Sequence, residues 1–137
     1  IAFYFEDEKI VFTGDTLFSL GCGRVFEGTY EEMFNSLINL KSLPTETKVY
    51  FGHEYTKKNL DFCLKYDSNN DLLKKKLLSI NAKLSDNLPT APTTIGEERE
   101  MNIFLRCSDK SIREELNLKD SSDQEVFNKL RDLKDNF

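Results

Sequence analysis

The apolar residues of this chain follow two rhythms. Up to about residue 56, short runs of β-branched and aromatic residues are separated by turns; beyond it, apolar positions recur at helical spacing. Residues 2–5 (Ala-Phe-Tyr-Phe) and 10–13 (Ile-Val-Phe-Thr) flank the polar Glu6-Asp7-Glu8-Lys9 and predict a hairpin. The second of these strands stops at Gly14-Asp15. Residues 19–28 hold Gly21, Gly23 and Gly28 and read as a loop. Thr29 then offers a helix N-cap, with Glu31 and Glu32 in the first turn and Met33, Phe34, Leu37 and Ile38 in helical register. Leu43-Pro44 ends that helix. Lys48–Phe51 is another strand, and it too stops at a glycine followed by a polar residue, Gly52-His53.

The remainder reads as helices over 56–65 and 69–84, an extended proline-bearing linker over 88–94, and a short helix over 95–101. Further helices start near Asp109 and at Ser122, the last carrying Val126, Phe127, Leu130 and Leu133 on one side. The predicted organisation is therefore an α/β part, residues 1–56, and an all-α part, residues 57–137. Ile1, Phe3, Phe5, Val11, Val49 and Phe51 alternate as strand residues expected to face buried layers. The chain opens inside an apolar strand, so further residues are expected upstream.

Charge narrows the partners. The net charge is −5 and no basic stripe offsets it, which argues against nucleic acid. Lys57-Lys58 and Lys74-Lys75-Lys76 read as solvated helix faces. No apolar run approaches the roughly 20 residues a membrane span requires. Cys22, Cys63 and Cys107 are odd in number and widely spaced, so they predict free thiols in a reducing compartment, the cytoplasm or an organelle.

Two strand ends carry the candidate chemistry. Asp15 and His53, the only histidine, are separated by one strand–helix–strand excursion, a topology able to return both to one sheet edge. They supply one oxygen and one nitrogen donor, a combination suited to Zn²⁺, Fe or Mn. Taken singly, Asp15 reads equally as a turn cap and His53 as a structural residue.

Gly-Asp-Thr-Leu-Phe (14–18), Gly-Cys-Gly-Arg (21–24), Phe-Glu-Gly-Thr (26–29) and Gly-His-Glu-Tyr-Thr (52–56) occur in this order and spacing. With Asn59-Leu60, Pro89-Thr90, Pro92-Thr93, Gly96-Glu97-Glu98, Asn102, Phe104, Arg106 and the closing Arg131 and Lys134-Asp135, the whole chain resembles the glyoxalase II (hydroxyacylglutathione hydrolase) family. The resemblance implies the C-terminal part of a metallo-β-lactamase-type αββα sandwich followed by a helical domain. It implies two divalent metal ions, zinc first and iron or manganese as alternatives. Asp15 matches the carboxylate that bridges them, catalytic through the hydroxide they share, and His53 matches a histidine on one of them. The family's remaining ligands lie upstream, on a half of the protein that this chain lacks.

The resemblance also implies substrate contacts. Arg24, Arg131 and Lys134 match basic residues at the glycine carboxylate of glutathione, and Tyr55 matches a tyrosine on the peptide. Phe26 stands where some members carry a tyrosine, and Ile103 where a proline is frequent. The implied reaction is hydrolysis of an S-(2-hydroxyacyl)glutathione, typically S-D-lactoylglutathione, the second step of methylglyoxal detoxification. Two rival readings remain: another hydrolase on the same fold, and a non-catalytic fragment or binding module. The chain by itself is expected to be inactive.

Overall fold

A computed structural model describes all 137 residues, Ile1–Phe137. Strand β1 (Phe3–Phe5) and strand β2 (Ile10–Gly14) form the expected hairpin, antiparallel with Phe3 opposite Phe12. Two short strands follow, β3 (Leu17–Phe18) and β4 (Gly21–Cys22), then helix α1 (Tyr30–Lys41) and strand β5 (Lys48–Phe51). Strand β5 pairs parallel with β2, and α1 is the crossover that parallel pairing requires. Local sequence chemistry sets the start of α1. The Thr29 side chain accepts from the Glu32 N–H, and the Glu32 carboxylate accepts from the Thr29 N–H, so each residue satisfies an orphan donor of the other.

The all-α part comprises α2 (Thr56–Tyr66), α3 (Asp71–Ser85), α4 (Ile95–Met101), a 3₁₀ turn (Ile103–Leu105), α5 (Lys110–Glu115) and α6 (Asp123–Asp135). Side-chain caps start most of these: Asn70 for α3, Thr94 for α4, Asp109 for α5 and Ser122 for α6. Two details differ from the sequence expectation. Thr93–Thr94, within the extended linker, pair antiparallel with β5 as strand β6, completing the sheet order β1-β2-β5-β6. The glycine-rich segment expected to be a plain loop begins with the β3–β4 ribbon. Neither was visible as a period-two pattern, because each strand is only two residues long.

Both parts share one hydrophobic core. Val11 and Val49 from the sheet, Leu37 from α1, Phe62 from α2, Ile95 from α4, and Phe104 and Phe127 belong to the same buried cluster. Phe104 lies between two other rings, 5.9 Å from Phe62 and 6.0 Å from Phe127, centroid to centroid. Removing one such ring would cost about 3–5 kcal/mol.

The sheet's two faces differ sharply. Val11 and Val49, expected to face buried layers, are fully buried within the core this chain supplies. Ile1, Phe3 (62% exposed) and Phe5, of which the same was expected, stand in water instead; Phe3, Phe5 and Phe12, with Tyr50 partly covered, are the exposed aromatics of this face. They form an aromatic stripe, Phe5 edge-on to Phe12 at 5.9 Å and Phe12 stacked on Tyr50 at 5.5 Å. The face assignment follows from register: Phe3, Phe12 and Tyr50 are lateral neighbours, and side chains alternate along each strand.

Candidate functional site

Parallel pairing of β2 and β5 brings Asp15 and His53 to the same sheet edge. The Gly52 N–H donates to the Gly14 carbonyl at 2.9 Å, and the next residues on each side project together. Asp15 Oδ1 and His53 Nε2 are 3.1 Å apart, with side chains 72% and 51% exposed respectively. A Cβ on residue 52 would sit 2.8 Å from Asp15 Oδ1 and 3.0 Å from the Gly14 carbonyl oxygen, so a larger residue would crowd the Asp15 carboxylate and the neighbouring strand end. His53 is oriented by aromatic neighbours, stacked on Tyr55 at 5.1 Å and flanked by Phe18 at 6.2 Å.

This pair fits part of a divalent-metal site. It offers one carboxylate oxygen and one imidazole nitrogen, adjacent and open to solvent, and these are donors of the type that hold zinc, iron or manganese. No group of three or more His, Cys, Asp or Glu side chains in this chain forms a metal cage. A catalytic zinc site takes three protein ligands, so the donor set is incomplete within these residues.

The β3–β4 ribbon crosses beside this pair. The Gly23 N–H donates to the Thr16 carbonyl at 3.0 Å, and a Cβ on residue 23 would collide with the Asp15 carbonyl oxygen at 1.8 Å. The helical part clamps the ribbon's turn. The Leu20 N–H donates to both Glu98 carboxylate oxygens at 3.0 Å, and Asn59 and Asn102 amides donate to the Ser19 and Gly21 carbonyls at 3.1 Å. Leu20 itself has φ +62°, a left-handed conformation that needs such external support. Burial pushes the Glu98 carboxyl up to about 7, against the opposing effect of the Leu20 hydrogen bond.

A cavity of about 490 Å³ opens at this edge. Asp15, Arg24, Phe26, His53, Tyr55, Arg131 and Lys134, all the residues singled out from the sequence, line it. Phe18, Cys22, Lys58 and Asn59 line it as well and were not read as site residues. Four cations therefore face one carboxylate in a protein of net charge −5.

These cations are not equivalent. Arg131, on α6, is only 3% exposed. Its Nη1 donates to the Cys22 and Gly23 carbonyls at 2.7 and 3.2 Å. Its Nε and Nη2 donate to Asp135 Oδ1 at 3.2 and 3.0 Å, and the guanidinium lies 5.2 Å over the Phe104 ring. The same Asp135 oxygen is 3.3 Å from Arg24 Nε. Arg131 thus borders the cavity mainly as a clamp on the ribbon. Lys134 is half-buried without an acidic partner, and burial, with Arg131, Lys58 and Arg24 nearby, lowers its ammonium pKa. Burial lifts the Cys22 thiol to about 11, which keeps it protonated and unreactive. Phe26 is largely exposed at the rim.

Lys58 was passed over because a lysine pair on a helix resembles ordinary solvated charge. One local signal was available: the first turn of α2 holds no acidic residue and no side-chain cap, so two lysines sit against the positive end of the helix dipole.

Comparison with known proteins matches this architecture. Residues 54–137 match the family described as "Hydroxyacylglutathione hydrolase C-terminus", and residues 1–53 match the metallo-beta-lactamase superfamily. The chain belongs to the hydroxyacylglutathione hydrolase family, and its mixed α/β fold is the one expected from the sequence. It is 56% identical over 137 residues to a hydroxyacylglutathione hydrolase of Pelagibacter ubique, covering all of this chain and 52% of that protein. It is 49% identical to one from Bartonella tribocorum, covering all of this chain and 54% of that protein. A third, from Nitrobacter winogradskyi, is 45% identical over 134 residues, 98% of this chain and 52% of that protein. The chain thus spans about half the length of the curated relatives it matches. Among solved structures, ETHE1 from Myxococcus xanthus aligns with a TM-score of 0.49 and 23% identity, over 92% of this chain and 37% of that one. The superfamily and the relatives imply use of divalent metal.

Proposed function

We propose that the complete protein hydrolyses the thioester of an S-(2-hydroxyacyl)glutathione, typically S-D-lactoylglutathione, to glutathione and a 2-hydroxy acid. One observation carries this reading: a metal-type Asp15–His53 pair and a cavity lined by four cations, two of them without an acidic partner, share one edge of the sheet. An anionic peptide has reason to enter there, although the protein as a whole is acidic. The cavity's size falls in the usual range for small-ligand sites.

Asp15 and His53 are the residues of this chain that would hold metal, and the remaining donors belong to an upstream half. Two divalent ions, zinc by preference, would supply Lewis acidity toward the thioester carbonyl and acidify water near neutral pH. The chain's own residues bind and orient. Arg24 and Lys134 take the glycine carboxylate, and Arg131 keeps Cys22-Gly23 and Asp135 in place beside them. Tyr55 and Phe18, ring centroids 5.2 Å apart, form the apolar wall next to His53. Water adds to the carbonyl carbon, the C–S bond breaks, and glutathione leaves as a thiolate that takes up a proton. Its low basicity makes a dedicated general acid unnecessary. Three free, buried cysteines support a reducing compartment such as the cytoplasm. No helix is long and apolar enough to cross a membrane.

The test is an assay of S-D-lactoylglutathione hydrolysis with the metal-loaded complete protein and, in parallel, the segment verified by mass spectrometry to begin at Ile1. Turnover and two bound metals are expected only from the complete protein. A complete, metal-loaded protein inert toward glutathione thioesters would overturn the substrate, and tight dinuclear binding with turnover by the segment would overturn the division of ligands.

A further inference from the structure

We propose that Lys58 is a specificity-determining residue of this site, reading a carboxylate of the peptide substrate alongside Lys134. The inference rests on the thioester-hydrolase reading above and adds to it a residue on a different element from the other cations.

The argument begins with how the four cavity cations are occupied. Arg131 spends its donors on the Cys22 and Gly23 carbonyls and on Asp135. Arg24 shares that same Asp135 oxygen. Lys58 and Lys134 have no carboxylate within ion-pair distance, although both face the cavity. They are close enough that Lys58 helps depress the Lys134 ammonium pKa. Two unneutralised ammonium groups held near one another repel, and a carboxylate placed between them relieves that repulsion while gaining charge-assisted hydrogen bonds.

The neighbouring lysine supplies the contrast. Lys57 is one residue away, yet it pairs with Asp61 at 2.6 Å and is not part of the cavity wall. The same helical turn therefore holds one lysine with a local partner and one without. The unpartnered lysine is the one facing the cavity. It stands in the first turn of α2, where positive charge is disfavoured by the helix dipole and no acidic residue offsets it. A local choice that costs stability and faces a binding cavity is expected at functional positions. Tyr55 and Asn59, on the same turn, also line the cavity, so this end of α2 forms one wall of it.

The experiment compares Lys58→Ala, Lys58→Arg and Lys57→Ala in the complete metal-loaded protein. Substrates are S-D-lactoylglutathione and its diester, in which both peptide carboxylates are blocked; the two monoesters identify which carboxylate is read. Lys58→Ala should raise KM about five- to tenfold on the free acid with little change in kcat, and leave KM for the diester unchanged. Lys58→Arg should retain most of the wild-type KM, and Lys57→Ala all of it. In parallel, calorimetric titration with S-methylglutathione should give the same ranking in Kd, independent of turnover. An unaltered Kd and KM in Lys58→Ala, or an equal rise on acid and diester, overturns the proposal. Absence of wild-type turnover would count against the hydrolase reading alone, because the titration still reports on Lys58.

Discussion

The two ends of the cavity are built in opposite ways. At one end, proposed above to hold metal, Asp15 and His53 are largely exposed and lie 3.1 Å from each other. At the cationic end, Arg131 is buried and held by two carbonyls, a carboxylate and an aromatic face. The sheet repeats the contrast, since one face is sealed by this chain's helices and the other is an open aromatic stripe. The difference teaches which half of the site the segment completes for itself. The cationic end is preorganised by contacts internal to these residues, whereas the Asp15–His53 pair and the aromatic stripe are left open by them.

Mutations can break that comparison. The largest effect should come from Asp15→Ala in the complete protein, which removes a metal donor without touching the core. Loss of most bound metal and a drop in kcat of roughly a thousandfold or more are expected, measured by elemental analysis and thioester kinetics. Full metal content with normal turnover would remove Asp15 from the site.

Arg131→Ala and Lys134→Ala should separate clamp from ligand. Losing Arg131 strips two ribbon carbonyls and Asp135 of their partner, so thermal or denaturant unfolding should report a destabilisation of about 2–3 kcal/mol in addition to a raised KM. Lys134→Ala should change KM by about tenfold and leave the unfolding midpoint nearly unaltered. Equal stability of the two variants would return Arg131 to the role of a simple ligand.

The smallest effect is a pH dependence. Burial raises the Glu98 carboxyl from 4.5 to about 7. As pH rises, the unfolded chain therefore releases this proton first. The stability Glu98 contributes is complete below about 4.5 and is lost as pH climbs through about 7. Unfolding free energy measured across that window should fall by about 1–3 kcal/mol more in the wild type than in Glu98→Gln. Parallel pH curves would show that the clamp on Leu20 is insensitive to its charge.

Much of this was legible in the residues alone. Thr29 with Glu32, and Ser122 with Val126, Phe127 and Leu130, set helix starts and buried faces through contacts a few residues apart. Asp15 and His53 were legible because each follows a strand-ending glycine, and the resemblance carried Arg24, Tyr55, Arg131 and Lys134 to one site. Only the tertiary structure decided which sheet face is sealed, because alternation gives two faces and register with β5 chooses between them. It alone joined Glu98 to Leu20 and Asn102 to Gly21, contacts between distant residues that no local pattern encodes. It also distinguished an Arg131 held by two carbonyls and a carboxylate from an unpartnered Lys58. In sequence both are only positive charges; what a charge does depends on the acceptors folding places beside it.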